Sequence, residues 1–191
     1  DTPLQAMLLV GSSHDMAVVG ALLRNGADPK RKDGAGRSTL AYCTTVDGFK
    51  LMHGYGLDAK ERLPDGGTLL HNLASTTSIR ASFPEEVAMF KHLLSHGLDI
   101  NARDNKGQTM LHRMADRESY EESGPNYELL IANGADKSIK DNQGKRAFDL
   151  VAKSLASHGF DAAPIHGDLP QSQRTQTLDR FRNKELKLLV A

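Results

Sequence analysis

A chain of 191 residues holds one or two domains, and its 24 basic residues balance 24 acidic ones. No net field therefore draws in nucleic acid, an anionic membrane or an acidic substrate. The longest apolar stretch near the start, Ala6 to Gly11, falls far short of the roughly 18 residues of a membrane span, and no basic segment precedes it. Cys43 is the single cysteine, so an internal disulfide is excluded and the expectation is a soluble monomer in a reducing, cytoplasmic or otherwise intracellular compartment.

In chain order, one phrase returns at Leu22, Leu51, Leu93 and Leu129. Each copy ends an apolar run in Gly-x-Asp, continues through a polar stretch with Asp and Gly, and the first three close on Thr or Ser before Leu. Gly26, Gly56, Gly97 and Gly134 follow the apolar runs, where a helix commonly ends on a left-handed residue. Gly36, Gly66, Gly107 and Gly144 sit among Asp and Asn and predict the tip of a short hairpin turn. The following Thr or Ser is expected to cap the next helix through its side-chain oxygen. The second helix of each pair is marked by apolar spacing of i, i+3, i+4 and i+7, as in Val18, Val19, Leu22 and Leu23 or Val87, Phe90, Leu93 and Leu94. The positions that open successive units, Thr2, Ser38, Thr68, Thr109 and Arg146, are 36, 30, 41 and 37 residues apart.

Those intervals straddle the period of about 33 residues of ankyrin repeats. The words at Thr2 (TPLQ), Thr68 (TLLH) and Thr109 (TMLH) resemble that family's Thr-Pro-Leu-His. The resemblance implies a mainly α fold: a solenoid of helix pairs with short hairpin turns over residues 1–150, in units near 1–32, 33–62, 63–103 and 104–140 with a partial unit at 141–150. Residues 75–86 and 116–127 lengthen two of the units. The partial first unit suggests that the chain is cut from something longer.

Candidate chemistry within the repeats reads as structure. In ankyrin-like proteins the His of that phrase links neighbouring turns, which is the role expected of His71 and His112. His53, His92 and His96 lie at the ends of second helices, where capping explains them. His92 and His96 share the i, i+4 spacing of helical zinc pairs, but no HExxH accompanies them. Cys43 is expected to be a small buried hydrophobe. The stretch from Gly34 to Thr39 lacks the arrangement of a phosphate-cradling loop. Neither a metal nor a cofactor is expected, and no catalytic residue.

After Gly144 the next Gly-x-Asp arrives at Gly159, 15 residues on, against 20 between Gly36 and Gly56. Residues 147–159 predict one helix, 161–167 a strand, 171–183 a helix with Leu178 and Phe181 inward, and 186–191 a second strand. That β-α-β order belongs to a parallel sheet. Residues 151–191 resemble part of the second RecA-like lobe of DEAD-box RNA helicases, through the run from His166 to Asn183 with its Gln-x-x-Arg at Gln171 and Arg174, and the following Leu186 to Ala191. In that family the region lies near the nucleic-acid path. The Walker-type loop, the Asp-Glu-Ala-Asp box and the arginine finger needed for ATP hydrolysis are not found in these residues. As a cap on the last repeat, the segment would pack Leu178 and Phe181 against Phe148 and Leu150.

The leading expectation is therefore a non-catalytic module that binds another protein through hairpin tips and first helices, with Arg37, Tyr42, Asn72, Lys106, Gln108, Arg113 and Lys145 as contacts. The alternative is an RNA-associated or nucleic-acid-associated protein acting through the helicase-like segment. Its contacts would be Gln171, Arg174, Arg180 and Arg182, within a basic cluster that also holds Lys184 and Lys187.

Overall fold

The computed structural model describes residues 2–10, 13–76, 83–115, 123–157, 162–165, 167, 169–185 and 188–190. Residues 77–82 and 116–122 of the two long insertions, together with Gly159, His166 and Lys187, lie outside the described residues. Among the described residues the chain is mainly helical: α1 (Pro3–Val10), α2 (Ser13–Arg24), a 3₁₀ segment (Thr39–Tyr42), α3 (Val46–Gly54), α4 (Leu69–Thr76), α5 (Pro84–Ser95), α6 (Met110–Ala115), α7 (Ser123–Ala132), α8 (Ala147–Ser157) and α9 (Gln171–Arg182). Two short strands, β1 (Ala162–Pro164) and β2 (Leu188–Val190), flank α9 and pair in parallel, Ala162 opposite Leu188 and Pro164 opposite Val190. A parallel pair needs a crossover, and α9 supplies it.

The repeated glycines do what their context demands. All eight have positive φ, from +73° at Gly107 to +94° at Gly134. At each hairpin tip the residue three places before the second glycine closes the turn across four residues, as Asp104 N–H donates to Gln108 O at 2.9 Å and Asp141 N–H to Lys145 O at 2.7 Å. The Asp104 carboxylate then accepts the N–H groups of Lys106 (2.8 Å) and Gln108 (2.9 Å), which makes the turn self-satisfied. Asp33 and Asp141 repeat the pattern.

Thr2 caps α1 as expected, its hydroxyl accepting Gln5 N–H at 3.2 Å, but Thr68 and Thr109 are arranged differently. The backbone N–H of Thr68 donates to Nδ1 of His71 at 3.0 Å, and that of Thr109 to Nδ1 of His112 at 3.2 Å, while both hydroxyls meet the same ring nitrogens. The ring replaces the hydroxyl as acceptor because it sits three residues on and is buried over the turn. With Nδ1 accepting, Nε2 carries the proton and donates to the next unit: His71 to Gln108 O at 2.9 Å, His112 to Lys145 O at 3.1 Å. Gln5 fills this place in the first unit, accepting Thr2 N–H at 2.7 Å and donating to Arg31 O at 3.2 Å. Asp149 accepts Arg146 N–H at 2.8 Å at the last. Ala41 holds the equivalent place in the second unit and has no side chain to make the link, and there the expected α-helix is only the 3₁₀ segment.

One apolar core runs through the helices, with Phe49, Met52, Leu70, Phe90, Met110 and Leu130 fully covered. Val19 is buried, but Val18, expected inward, is exposed, and Met89 is buried where Val87 is only partly covered. The expected boundary at residue 150 falls inside α8, which packs on α6 and also on β1 and β2. The Phe148 ring lies 5.2 Å from that of Tyr127. α9 buries none of its residues fully: of the two expected to pack as a cap, Leu178 is partly covered and Phe181 is 41% exposed.

Candidate nucleic-acid interface

The residues expected at a protein-binding face are largely committed within the chain. Tyr42 is buried, its hydroxyl donating to Asp33 at 2.6 Å and accepting from Arg37 at 2.8 Å, so it is no surface anchor. That hydroxyl, followed by the Arg37 and Ala35 N–H groups and the Arg37 guanidinium, holds the Asp33 carboxyl far below the usual carboxylate range against the opposing effect of burial. Asn72 donates to Ala41 O at 2.6 Å. Arg113 clamps two hairpins, reaching Asp104 at 2.7 Å and Asp65 at 2.6 Å. Desolvation alone would raise both of those carboxyls, but hydrogen bonds from the neighbouring N–H groups and Arg113 keep them below the ordinary value. Gln108 and Lys145 give their carbonyls to His71 and His112, and Lys106 is exposed while its carbonyl accepts Asn142 N–H at 2.9 Å. Of the seven, Tyr42, Asn72 and Arg113 hold the turns through their side chains, whereas Lys106, Gln108 and Lys145 do so through their main chain.

The tail is arranged differently. Pro170 opens α9 with no side-chain cap, and Gln171, Arg180 and Arg182 are exposed while Arg174 is partly covered. Helical spacing of about 100° per residue puts Gln171, Arg174 and Arg182 within an arc of about 80°, with Arg180 on the opposite side. Only the first three share a face. Their internal ties are weak: Arg174 Nη1 to Gln171 Oε1 is 3.4 Å, and the Arg182–Asp179 pair is 3.6 Å with both partners exposed. Lys184 extends this end of the helix in a left-handed conformation, φ 60°, with its N–H donating to Phe181 O at 3.1 Å. The exposed Arg182 and the partly covered Arg174, both weakly tied, present guanidinium groups that phosphates could meet on one face. Sequence reasoning found these residues but not their division between two sides, which depends on helical phase.

Among the described residues no group of three ligands is set to hold a metal ion, and no helix is long and apolar enough to cross a membrane. Burial pushes the Cys43 thiol up to about 12, which makes it a poor nucleophile at neutral pH.

Residues 127–191 match the helicase conserved C-terminal domain. The chain is similar to the ATP-dependent RNA helicase CshA of Limosilactobacillus reuteri, 38% identical over 72 residues, covering 38% of this chain and 14% of that protein. It is similar to the ATP-dependent RNA helicase vasa of Drosophila melanogaster, 39% identical over 62 residues, with 32% of this chain and 9% of vasa covered. The ATP-dependent RNA helicase DeaD of Mycobacterium tuberculosis is 43% identical over 47 residues, 25% of this chain and 8% of the helicase. The chain thus spans a small fraction of the curated relatives it matches. These matches correct the expectation of an ankyrin protein-interaction module. The similarity is to RNA helicases, and the matched segment begins at 127, inside the stretch assigned to the fourth ankyrin unit, and takes in α8 whole.

Proposed function

We propose that this protein associates with RNA through its helicase-like C-terminal segment, with the α9 face of Gln171, Arg174 and Arg182 contacting the phosphate backbone. The observation that carries the reading is the match of residues 127–191 to the helicase conserved C-terminal domain, on which the exposed arginines fall. The contact is sequence-tolerant, because phosphate contacts position a strand without reading its bases. It involves no ATP hydrolysis by these residues, since the sequence offers neither a phosphate-cradling loop nor an arginine finger. An intracellular setting suits both an RNA partner and the lone Cys43. The region before α8 is read as a solenoid of helix pairs, supported by the equivalent turns and the His71 and His112 links between units.

Fluorescence polarisation of the full chain with a short single-stranded RNA tests this. Three or four neutralised phosphates give a log–log salt slope of about −2 to −3, or roughly a 20- to 50-fold loss of affinity between 50 and 200 mM salt. Arg174→Ala with Arg182→Ala should reduce that slope by about 1 to 2, and Arg180→Ala should reduce it less. Salt-insensitive binding, or binding untouched by the double variant, would overturn the proposal.

A further inference from the structure

Three imidazoles meet at the seam between α3 and α5, outside the helicase-like segment. His53 lies in the last turn of α3, His92 in the last turn of α5, and His96 caps α5. They surround the fully buried ring of Phe49: His53 stacks on it at 5.7 Å, His92 meets it edge-on at 5.2 Å and His96 lies at 5.0 Å. The imidazoles also touch one another, His92 to His96 at 4.6 Å and His53 to His96 at 5.1 Å. Only His53 has an evident polar anchor, its Nδ1 lying 2.9 Å from Leu57 O, where it donates. Nε2 of His92 is buried without a hydrogen-bond partner.

The surrounding charges make this packing a neutral-state arrangement. Lys50 of α3 faces His92 along with the other two imidazoles, and Lys60 reaches the end of α5 beside Gly97. The carboxylates within these helices, Asp47, Glu85 and Glu86, occupy first turns, at the opposite ends from the cluster, while Asp58 and Asp99, which follow the two helices, accept the turn N–H groups of Lys60 at 2.8 Å and Asn101 at 2.9 Å. The 3₁₀ segment and α4, which also pack here, bring no carboxylate. The C-terminal dipoles of α3 and α5 welcome one positive charge. A second, within about 5 Å of the first and against an apolar floor, meets like-charge repulsion and loss of hydration.

We propose that His53, His92 and His96 form a proton-sensitive joint, closed when the cluster is neutral and loosened when it takes up more than one proton. Desolvation first, then His96, Lys50 and His53, keep His92 below its ordinary value of 6.5. The sign follows: above pH of about 6.5 the folded and open forms are both neutral at His92 and the joint is unaffected. As pH falls below 6.5, the open form takes the proton first, and closure weakens. Loosening uncovers Phe49, the ring the three imidazoles surround.

Amide hydrogen exchange of the full chain, expressed as protection factors so that the intrinsic pH dependence cancels, reads this directly. Protection in the last turns of α3 and α5 should fall roughly threefold or more between pH 7.5 and 5.5, while α6 and α8 hold. His96→Gln should reduce the fall by removing one of the charges. Imidazole Cε1–H titration by NMR on the unaltered chain gives a second readout, in which His92 should titrate below the ordinary histidine value. Level protection across the range, an equal fall in α6 and α8, or a His92 titration at the ordinary histidine value would overturn the proposal.

Discussion

Replacing His112 by Ala removes a ring that is 1% exposed and holds two units together. The change orphans the Lys145 carbonyl, which accepts from Nε2 at 3.1 Å, and the Thr109 N–H, which donates to Nδ1 at 3.2 Å. Each unsatisfied buried group costs about 1–3 kcal/mol. Taking the lower half of that range because Lys145 is partly exposed, and adding the space left by the ring, gives a loss of about 3 kcal/mol. For a domain of this size that lowers Tm by about 6–12 °C. The first unit supplies its own control: Gln5 makes both equivalent bonds, at 2.7 Å and 3.2 Å, without a ring. His112→Gln should therefore keep more than half of the lost stability. Urea unfolding followed by far-UV circular dichroism measures both variants. A loss below about 1 kcal/mol for the Ala variant, or Gln costing as much as Ala, would refute the account of the link.

Glycine substitutions at two hairpin tips should differ sharply. A Cβ on Gly107 would meet the backbone nitrogen of Asn142 at 2.8 Å, whereas one on Gly144 meets nothing within 4 Å. Both have positive φ, so Gly144→Ala should cost about 1 kcal/mol and Gly107→Ala clearly more, as unfolding midpoints would show. Asp33, held below its ordinary value of 3.8 chiefly by the Tyr42 hydroxyl, contributes stability that is present above about pH 3.8 and lost as pH falls below it. Asp33→Asn should flatten the acid limb of the stability curve between about pH 4 and 2, and an unchanged limb would contradict the assignment. Cys43, with its thiol raised to about 12, should resist a thiol-specific disulfide reagent at pH 8 in the folded chain and react fully in denaturant. Rapid labelling without denaturant would show that the burial is wrong.

How much of this was legible beforehand depended on whether a residue's role is local. The positive-φ glycines, the hairpin turns and the β-α-β order of the tail follow from neighbours in sequence, and all are present. Ala41 shows why the first helix of the second unit fails: the linking side chain three residues after Ser38 is missing, which is visible once the positions are aligned, but its consequence is set by packing. The single helix over 147–159 was legible across residue 150, but its packing on both α6 and the strands was not, because periodicity does not say what an apolar face meets. Leu178 and Phe181 carry helical spacing, yet one is only partly covered and the other exposed, since periodicity cannot report what a face packs against. The repeat period also argued for a binding module, yet period fixes architecture and says little about function, which is carried by sites. Tyr42 and Arg113 illustrate this, since residue types favoured at interfaces are spent here on holding turns together.

Ultraviolet crosslinking of a single-stranded RNA to the full chain, followed by identification of the crosslinked peptides, bears most directly on the proposed RNA contact. The account predicts adducts between Gln171 and Glu185, diminished by higher salt and by Arg174→Ala with Arg182→Ala. Adducts confined to the hairpin turns between Asp28 and Gln108, or none under conditions that crosslink a control helicase, would contradict it.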